Sequence, residues 1–178
     1  MKKNSALFLA FCLGTGTLAF AQAIKDAKPN AGSPGYGLFL PGDITADLAR
    51  IAINAAIQKA QEQGTLMNIA IVDAGGNLKA FSRMDGAFLA SIDIAIKKAK
   101  TARGLNMPTS QLHDASVPGA ELYGIEVTNN GLVIFGGGEL LKNKDGIIIG
   151  AIGVSGSSVA NDVAAAQAGA AAVLEAWR

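Results

Sequence analysis

Residues 68–83 have the sequence NIAIVDAGGNLKAFSR, in which two short strand-like runs flank a turn. The run at 68–72 is mostly apolar, the cluster DAGGN at 73–77 is rich in turn-forming residues, and 78–83 has a second strand pattern. So short a connection forces an antiparallel hairpin, because parallel strands need a crossover of about a dozen residues or more. This stretch therefore predicts an antiparallel sheet and argues against a doubly wound dinucleotide-binding fold.

Apolar residues at helical or strand spacing lie on both sides of this hairpin. Helices are predicted over residues 44–63, 89–103 and 158–177. Further strands are predicted at 131–135 and 147–154, with a strand or turn at 139–142 between them. The run at 147–154 is almost wholly apolar, which is typical of a strand covered on both faces. The pattern predicts an α/β protein of the α+β kind, a three-layer α/β/α sandwich around an antiparallel sheet.

The N-terminal residues have the pattern of a secretory signal peptide. An MKK start precedes an apolar run over 6–20, and the small-x-small sequence AFA ends at Ala21. The run is short for a membrane span, which needs about 20 apolar residues. We expect a signal peptide over 1–21, a flexible leader over 22–41 and a folded domain over 42–178. Cleavage near Ala21 would make the protein secreted or periplasmic, with no membrane span in the mature chain.

Composition excludes several classes of protein. The chain of 178 residues is 50% hydrophobic and 16% charged, which excludes an intrinsically disordered chain. The 15 Lys and Arg residues against 14 Asp and Glu give a formal net charge of +1, so we expect no nucleic-acid partner. One His and one Cys exclude zinc sites built from several such residues, and also an intrachain disulfide.

Four residues are candidate ligands to a metal-bearing cofactor. His113, the single histidine, lies in an irregular stretch with prolines nearby and could be an axial ligand to haem iron. Met84, Met107 and Tyr123 are weaker candidates, since thioethers and phenolates also ligate haem. Each could instead be an ordinary core, gap-filling or loop residue, which is the commoner role of a methionine.

A second set of residues could hold a small acid. Arg83 and Asp85 lie in a loop after a predicted strand, where the arginine could pair with a ligand carboxylate or with Asp85 itself. The other candidates lie in two glycine- and serine-rich turns: Gly137, Gly138, Ser155 and Ser157. Backbone amides in such turns can bind anions, although serines there also serve as simple helix caps. The sequence has no phosphate-binding loop and no nucleophile elbow, so it favours binding over catalysis.

Two motifs resemble those of the GlcG/HbpS-like family. The first is VDAGGNL at 72–78 with RMDGA at 83–87, and the second is the stretch 146–156, which ends in GAIGVSG. The likeness covers about 44–172. The resemblance implies a profilin-like fold with a five-stranded antiparallel sheet, homo-oligomers, and haem binding by extracellular members.

The residues and the resemblance together favour an exported protein that binds haem or another tetrapyrrole. We expect His113 as the axial ligand, Arg83 near the propionates, and Met84 or Met107 close by. One alternative is an accessory protein or enzyme that binds a small organic acid such as glycolate through Arg83 and the two turns. A structural or partner-binding module is the other alternative.

Overall fold

The computed structural model describes residues 42–177, so the predicted signal peptide and leader lie outside the described residues. The helices are α1 Ala46–Glu62, α2 Ala90–Leu105, α3 His113–Ser116 and α4 Val159–Ala176. The strands are β1 Asn68–Asp73, β2 Leu78–Arg83, β3 Gly138–Lys142 and β4 Ile148–Ser155. Single 3-10 turns cover Thr109–Leu112 and Ile125–Val127.

Four strands form one antiparallel sheet in the order β2-β1-β4-β3 within residues 42–177. The predicted hairpin of β1 and β2 is confirmed. Its turn is fixed by the Asp73 carboxylate, which accepts hydrogen bonds from the backbone N–H groups of Gly75 (2.9 Å) and Asn77 (2.8 Å). Gly76 has a φ of 80°, in the left-handed region that glycine adopts without strain.

The strand predicted at 131–135 is wrong, which leaves four strands where the family resemblance implied five. Gly131 has a φ of 97° and turns the chain out of an extended path. Leu132 N then donates to Glu126 O, and Val133 N donates to Thr101 Oγ1 on α2. The loop and a helix side chain therefore take up backbone donors that a sheet would need.

Helices cover both faces of the sheet, as the sequence predicted. Helices α1 and α4 pack on the face that carries Ile69, Ile71, Ile152 and Val154. Helix α2 packs on the opposite face, which carries Ala70, Val72 and Ala151. Alternate residues of β1 and β4 thus contact different helix layers, which is the period of a strand. The three-layer α/β/α sandwich is confirmed.

Glycines on the strands let α2 lie very close to the sheet. A Cβ at Gly153 of β4 would collide with the backbone of Ala95 and Ala99, and a Cβ at Gly138 of β3 would lie 2.5 Å from the backbone oxygen of Lys98. Glycine is therefore required where this helix approaches the strands. Within residues 42–177, none of the helices is both long and apolar enough to cross a membrane.

Candidate functional site

A buried ion pair joins the two helix layers at the end of the sheet where β4 finishes. Lys98 of α2 places its Nζ 2.7 Å from Asp162 Oδ2 of α4 and 2.9 Å from Val154 O of β4. The two side chains are 0% and 3% exposed. The Phe135 ring lies 4.9 Å from the same Nζ, and Ser157 N donates to Asp162 Oδ1 at 3.1 Å. We call this pair and its contacts the junction.

Burial shifts both pKa values of the junction toward the neutral forms. Desolvation lowers the pKa of the Lys98 ammonium, against the hydrogen bond and charge of Asp162. Desolvation raises the pKa of the Asp162 carboxyl, against Lys98 and the N–H donors of Ser157 and Gly156. The two charged groups find their partners inside the protein, so the junction holds the helix layers together rather than offering a free group to a ligand.

Gly137 and Gly138 belong to this junction. A Cβ at Gly137 would lie 2.6 Å from Lys98 Nζ, so a side chain there would displace the ammonium. Gly137 O accepts from Val154 N (2.8 Å), and Gly138 N donates to Thr109 Oγ1 (2.9 Å). Both glycines are buried, and their use as a ligand-binding turn stays a prediction.

The sheet register brings together two of the residues predicted to bind a small acid. Asn68 of β1 is in register with Arg83 of β2 on one side and with Ser155 of β4 on the other. Residues in register share a face, so these three side chains form a row on the face covered by α2. Asn68 is fully buried and donates its Nδ2 to Phe88 O at 3.0 Å. Its Oδ1 has no hydrogen-bond partner among residues 42–177.

The remaining candidates of this set lie around the same end of the sheet. Asp85 is exposed in the turn after β2, and Ser157 is exposed before α4, where its Oγ accepts from Asn161 Nδ2 at 3.1 Å.

Met84, one of the predicted iron ligands, is half-buried against the core, and its Sδ accepts a hydrogen bond from Met67 N at 3.4 Å. The methionine sulfur is therefore already in use.

His113 and Tyr123 lie together on an irregular segment outside the sheet. His113 is exposed at the start of α3, and Tyr123 is 64% exposed. A hydrogen bond from Leu122 N to Ala115 O (2.8 Å) holds the two stretches that carry them against each other. Several apolar side chains of this stretch, which we call segment 113–127, are also exposed: Val117, Leu122 and Val127.

Met107 is separate from these ligand candidates, half-buried just after α2, where its N–H donates to Ala102 O at 3.1 Å. Within the described part of the chain, no group of three or more His, Cys, Asp or Glu side chains is placed to hold a metal ion. Among the four predicted iron ligands, His113 and Tyr123 are the exposed ones.

Sequence reasoning missed Lys98 and Asp162 as a pair. Three lysines, Lys97, Lys98 and Lys100, lie close together near the end of α2, yet the structure buries Lys98 and leaves Lys100 exposed. A signal was present, because Lys98 lies three residues after Ala95 and so shares its buried helix face.

Comparisons with known proteins give a consistent set of relatives. The family model described as "Haem degrading protein HbpS-like" matches residues 44–171. The corrinoid adenosyltransferase PduO of Salmonella typhimurium is 43% identical over 120 residues, which are 67% of this chain and 35% of PduO. The chain therefore spans about a third of that enzyme's length.

Two solved structures share the fold over most of the described residues. The complex of PduOC with haem has a TM-score of 0.69 and 39% sequence identity, and the match covers 73% of this chain and 94% of PduOC. The crystal structure of HbpS has a TM-score of 0.65 and 33% identity, and the match covers 78% of this chain and 96% of that one.

Proposed function

The chain belongs to the HbpS-like family, as its two sequence motifs predicted, and we propose that it binds haem. The observation that carries this proposal is the haem complex of PduOC, which is 39% identical to this chain in a match that covers 94% of PduOC. The family description, a haem-degrading protein, names the same ligand. Bound haem would supply a redox-active iron and a flat apolar macrocycle.

Segment 113–127 has the chemistry that haem requires. An accessible imidazole at His113 and an accessible phenol at Tyr123 are both groups that ligate haem iron. Val127 is 83% exposed, so a porphyrin resting on this segment would remove apolar surface from water. We assign His113 as the axial ligand and Tyr123 as its nearest competitor. Met84 is a weaker candidate because its sulfur already accepts a hydrogen bond.

A haemin titration tests the assignment. We expect a saturable Soret band near one haem per subunit. His113→Ala should shift that band and weaken binding about tenfold or more, because an axial ligand bond is lost. Tyr123→Phe is the matched control and should leave the band in place. A band altered only by Tyr123→Phe would transfer the ligand role to Tyr123, and the absence of saturable binding would overturn the haem proposal.

Export and self-association complete the proposal. The two lysines and the apolar run within residues 1–21 support secretion, so the protein would bind haem after export. Phe88 and Leu89 are each 69% exposed just before α2, and adjacent large apolar side chains in water favour an interface between copies. N-terminal sequencing of the exported protein should begin near Gln22. Light scattering on the eluting protein should give more than one subunit mass, and Phe88→Ser should reduce it.

A further inference from the structure

A cleft runs along the outer side of the C-terminal half of α2. One cavity, of about 340 Å³, lies between this helix and the loop at 129–132. A second, of about 410 Å³, lies between the helix and the glycine turn at 74–76. Lys100 and Gly104 line both, so the two cavities adjoin at these residues. We call the two cavities together the cleft, and each of them a compartment of it. Each has a volume within the range of small-molecule pockets.

Basic side chains outnumber acidic ones in the cleft. Lys97, Lys100 and Arg103 line it, against a single carboxylate, Asp93, whose Oδ2 lies 2.8 Å from Lys97 Nζ. The neighbouring Asp73 carboxylate accepts the N–H groups of its own turn. Two positive charges therefore have no carboxylate partner in the lining. The basic residues follow each other at intervals of three, so they extend over about 9 Å of the helix axis.

Arg103 carries an unsatisfied donor at the end of this row. Its Nη1 donates to Asn106 Oδ1, whereas its Nε is buried and has no hydrogen-bond partner among residues 42–177. A buried N–H without an acceptor is destabilising. The Nε is covered by protein, so an anion in the cleft would contact the other N–H groups of the guanidinium, whose fixed fork matches a carboxylate.

The other compartment adds an apolar wall to this charge. Ile96, Leu105 and Leu132 line the cavity between α2 and the loop. Asn129 and Asn130 lie at its edge in the left-handed backbone region, with φ values of 51° and 61°. Asparagine tolerates this region better than other non-glycine residues, so the sequence suits the turn that closes the cavity. A hydrocarbon chain would fit this wall better than a fully hydrated anion.

We propose that the cleft binds a small aliphatic dicarboxylate. One carboxylate lies between Arg103 and Lys100, beside the glycine turn. The other reaches the loop at Asn129 and Asn130, because Lys97 is already paired with Asp93. The methylene groups between them contact Ile96 and Leu105. The inference goes beyond haem binding, because none of these residues belongs to segment 113–127. It also places the acid away from Arg83, which lies at the end of β2 opposite to the glycine turn.

Calorimetric titration of a chain-length series tests the proposal on the full folded domain. The probes are malonate, glutarate and adipate, with acetate and inorganic phosphate as short anions, all at one ionic strength. We expect the longer dicarboxylates to bind at least tenfold more tightly than acetate or phosphate, since only they reach both compartments. Lys100→Met and Arg103→Met should each weaken adipate about tenfold. Lys144→Met, at an exposed lysine outside the cleft, is the matched control and should change nothing.

Three results would overturn the inference. Equal affinity for acetate, phosphate and adipate, or an equal loss in Lys144→Met, would show general ion binding. Haemin is titrated beside the acids because its propionates are also carboxylates. We expect haemin affinity to be unchanged in the double variant Lys100→Met/Arg103→Met. A parallel loss of haemin would make the cleft a propionate site instead. Thermal unfolding of each variant checks that the fold is intact.

Discussion

Lysines on the two sides of α2 have opposite environments. On the inner side, Lys98 is fully buried and bonded to Asp162 and to the Val154 carbonyl. On the outer side, Lys100 is exposed and lines a cleft with an excess of positive charge. A charge that is buried and satisfied inside the protein contributes to architecture, whereas an exposed charge without a partner is available to a ligand.

The same contrast separates the candidate haem ligands. Met84 has its sulfur in a hydrogen bond and its side chain against the core, while His113 and Tyr123 are accessible on segment 113–127. Residue type alone therefore does not identify a ligand in this protein. The partners that a side chain already has decide whether it can take another.

The largest effect is expected from breaking the buried pair on one side only. Asp162→Ala leaves the Lys98 ammonium buried without its carboxylate, and we expect a loss of about 3–5 kcal/mol in the free energy of unfolding. Urea denaturation measures it. Lys100→Met, which removes a charge from the outer side of the same helix, should change stability by no more than about 0.5 kcal/mol.

A double variant separates charge from packing in that experiment. Lys98→Met/Asp162→Leu replaces both charges by apolar groups of similar size, and such replacements often preserve stability. We therefore expect it to be more stable than Asp162→Ala. If Asp162→Ala were as stable as Lys100→Met, the inner and outer lysines would not differ in role.

Glycines give a second and smaller contrast between the two sides of α2. Gly153→Ala forces a methyl group into the backbone of Ala95 and Ala99, and overpacking of this kind costs about 1–3 kcal/mol. Gly104→Ala is the outer-side counterpart, since a Cβ there has no neighbour within 4 Å. It should stabilise the helix by up to about 1 kcal/mol. Thermal unfolding of the two variants should therefore shift in opposite directions, and shifts of the same sign would contradict the packing argument.

The fold could be predicted from the sequence because its turns and its apolar periodicity depend on residues that are close together in the chain. Residues 68–83 contain the turn formers and strand residues of the hairpin, and the helices follow their apolar spacing. The error at 131–135 shows where such reasoning fails. The run LVIF suits a strand, but the chain turns at Gly131, and the N–H of Val133 donates to the hydroxyl of Thr101 instead of to a strand. That partner lies 32 residues away.

The candidate site was harder to predict, because it depends on contacts between residues that are far apart in the sequence. Lysine is among the residues least expected in a core, so three lysines near one helix end predict a solvated face. The burial of Lys98 depends on Asp162, which lies 64 positions later. Arg83 and Ser155 were named as candidates from their turns, yet only the strand register places both of them beside Asn68.

The half-buried carboxyl of Glu139 should make the stability of the fold depend on pH. Burial on β3 raises the pKa of its carboxyl above 4.5, against a hydrogen bond with Gln167. The folded state then binds more protons, so the stability from this group is present below 4.5 and is lost as pH rises through the folded pKa. Glu139→Gln removes that titration. Its unfolding temperature should therefore rise relative to the unmodified protein between about pH 4 and about pH 7.

Glu175→Gln on α4 is the matched control for this substitution, because Glu175 is exposed. At a single pH its free energy of unfolding should stay within about 0.5 kcal/mol of that of the unmodified protein. Parallel curves for Glu139→Gln and the unmodified protein would mean that burial on β3 does not penalise the carboxylate.

The smallest effect on stability, and the most informative for function, is expected at Val127. This side chain is 83% exposed, so Val127→Ser should alter the free energy of unfolding by less than about 0.5 kcal/mol. If haem covers segment 113–127, the same change removes apolar contact worth about 0.8 kcal/mol per buried methylene, and haemin should bind roughly fourfold more weakly. Ile147→Ser, at an apolar residue 56% exposed in the turn between β3 and β4, should not affect haemin. If Ile147→Ser weakened haemin binding and Val127→Ser did not, haem would bind away from His113. Segment 113–127 would then be ordinary protein surface, because exposed apolar side chains are common and need no ligand to explain them.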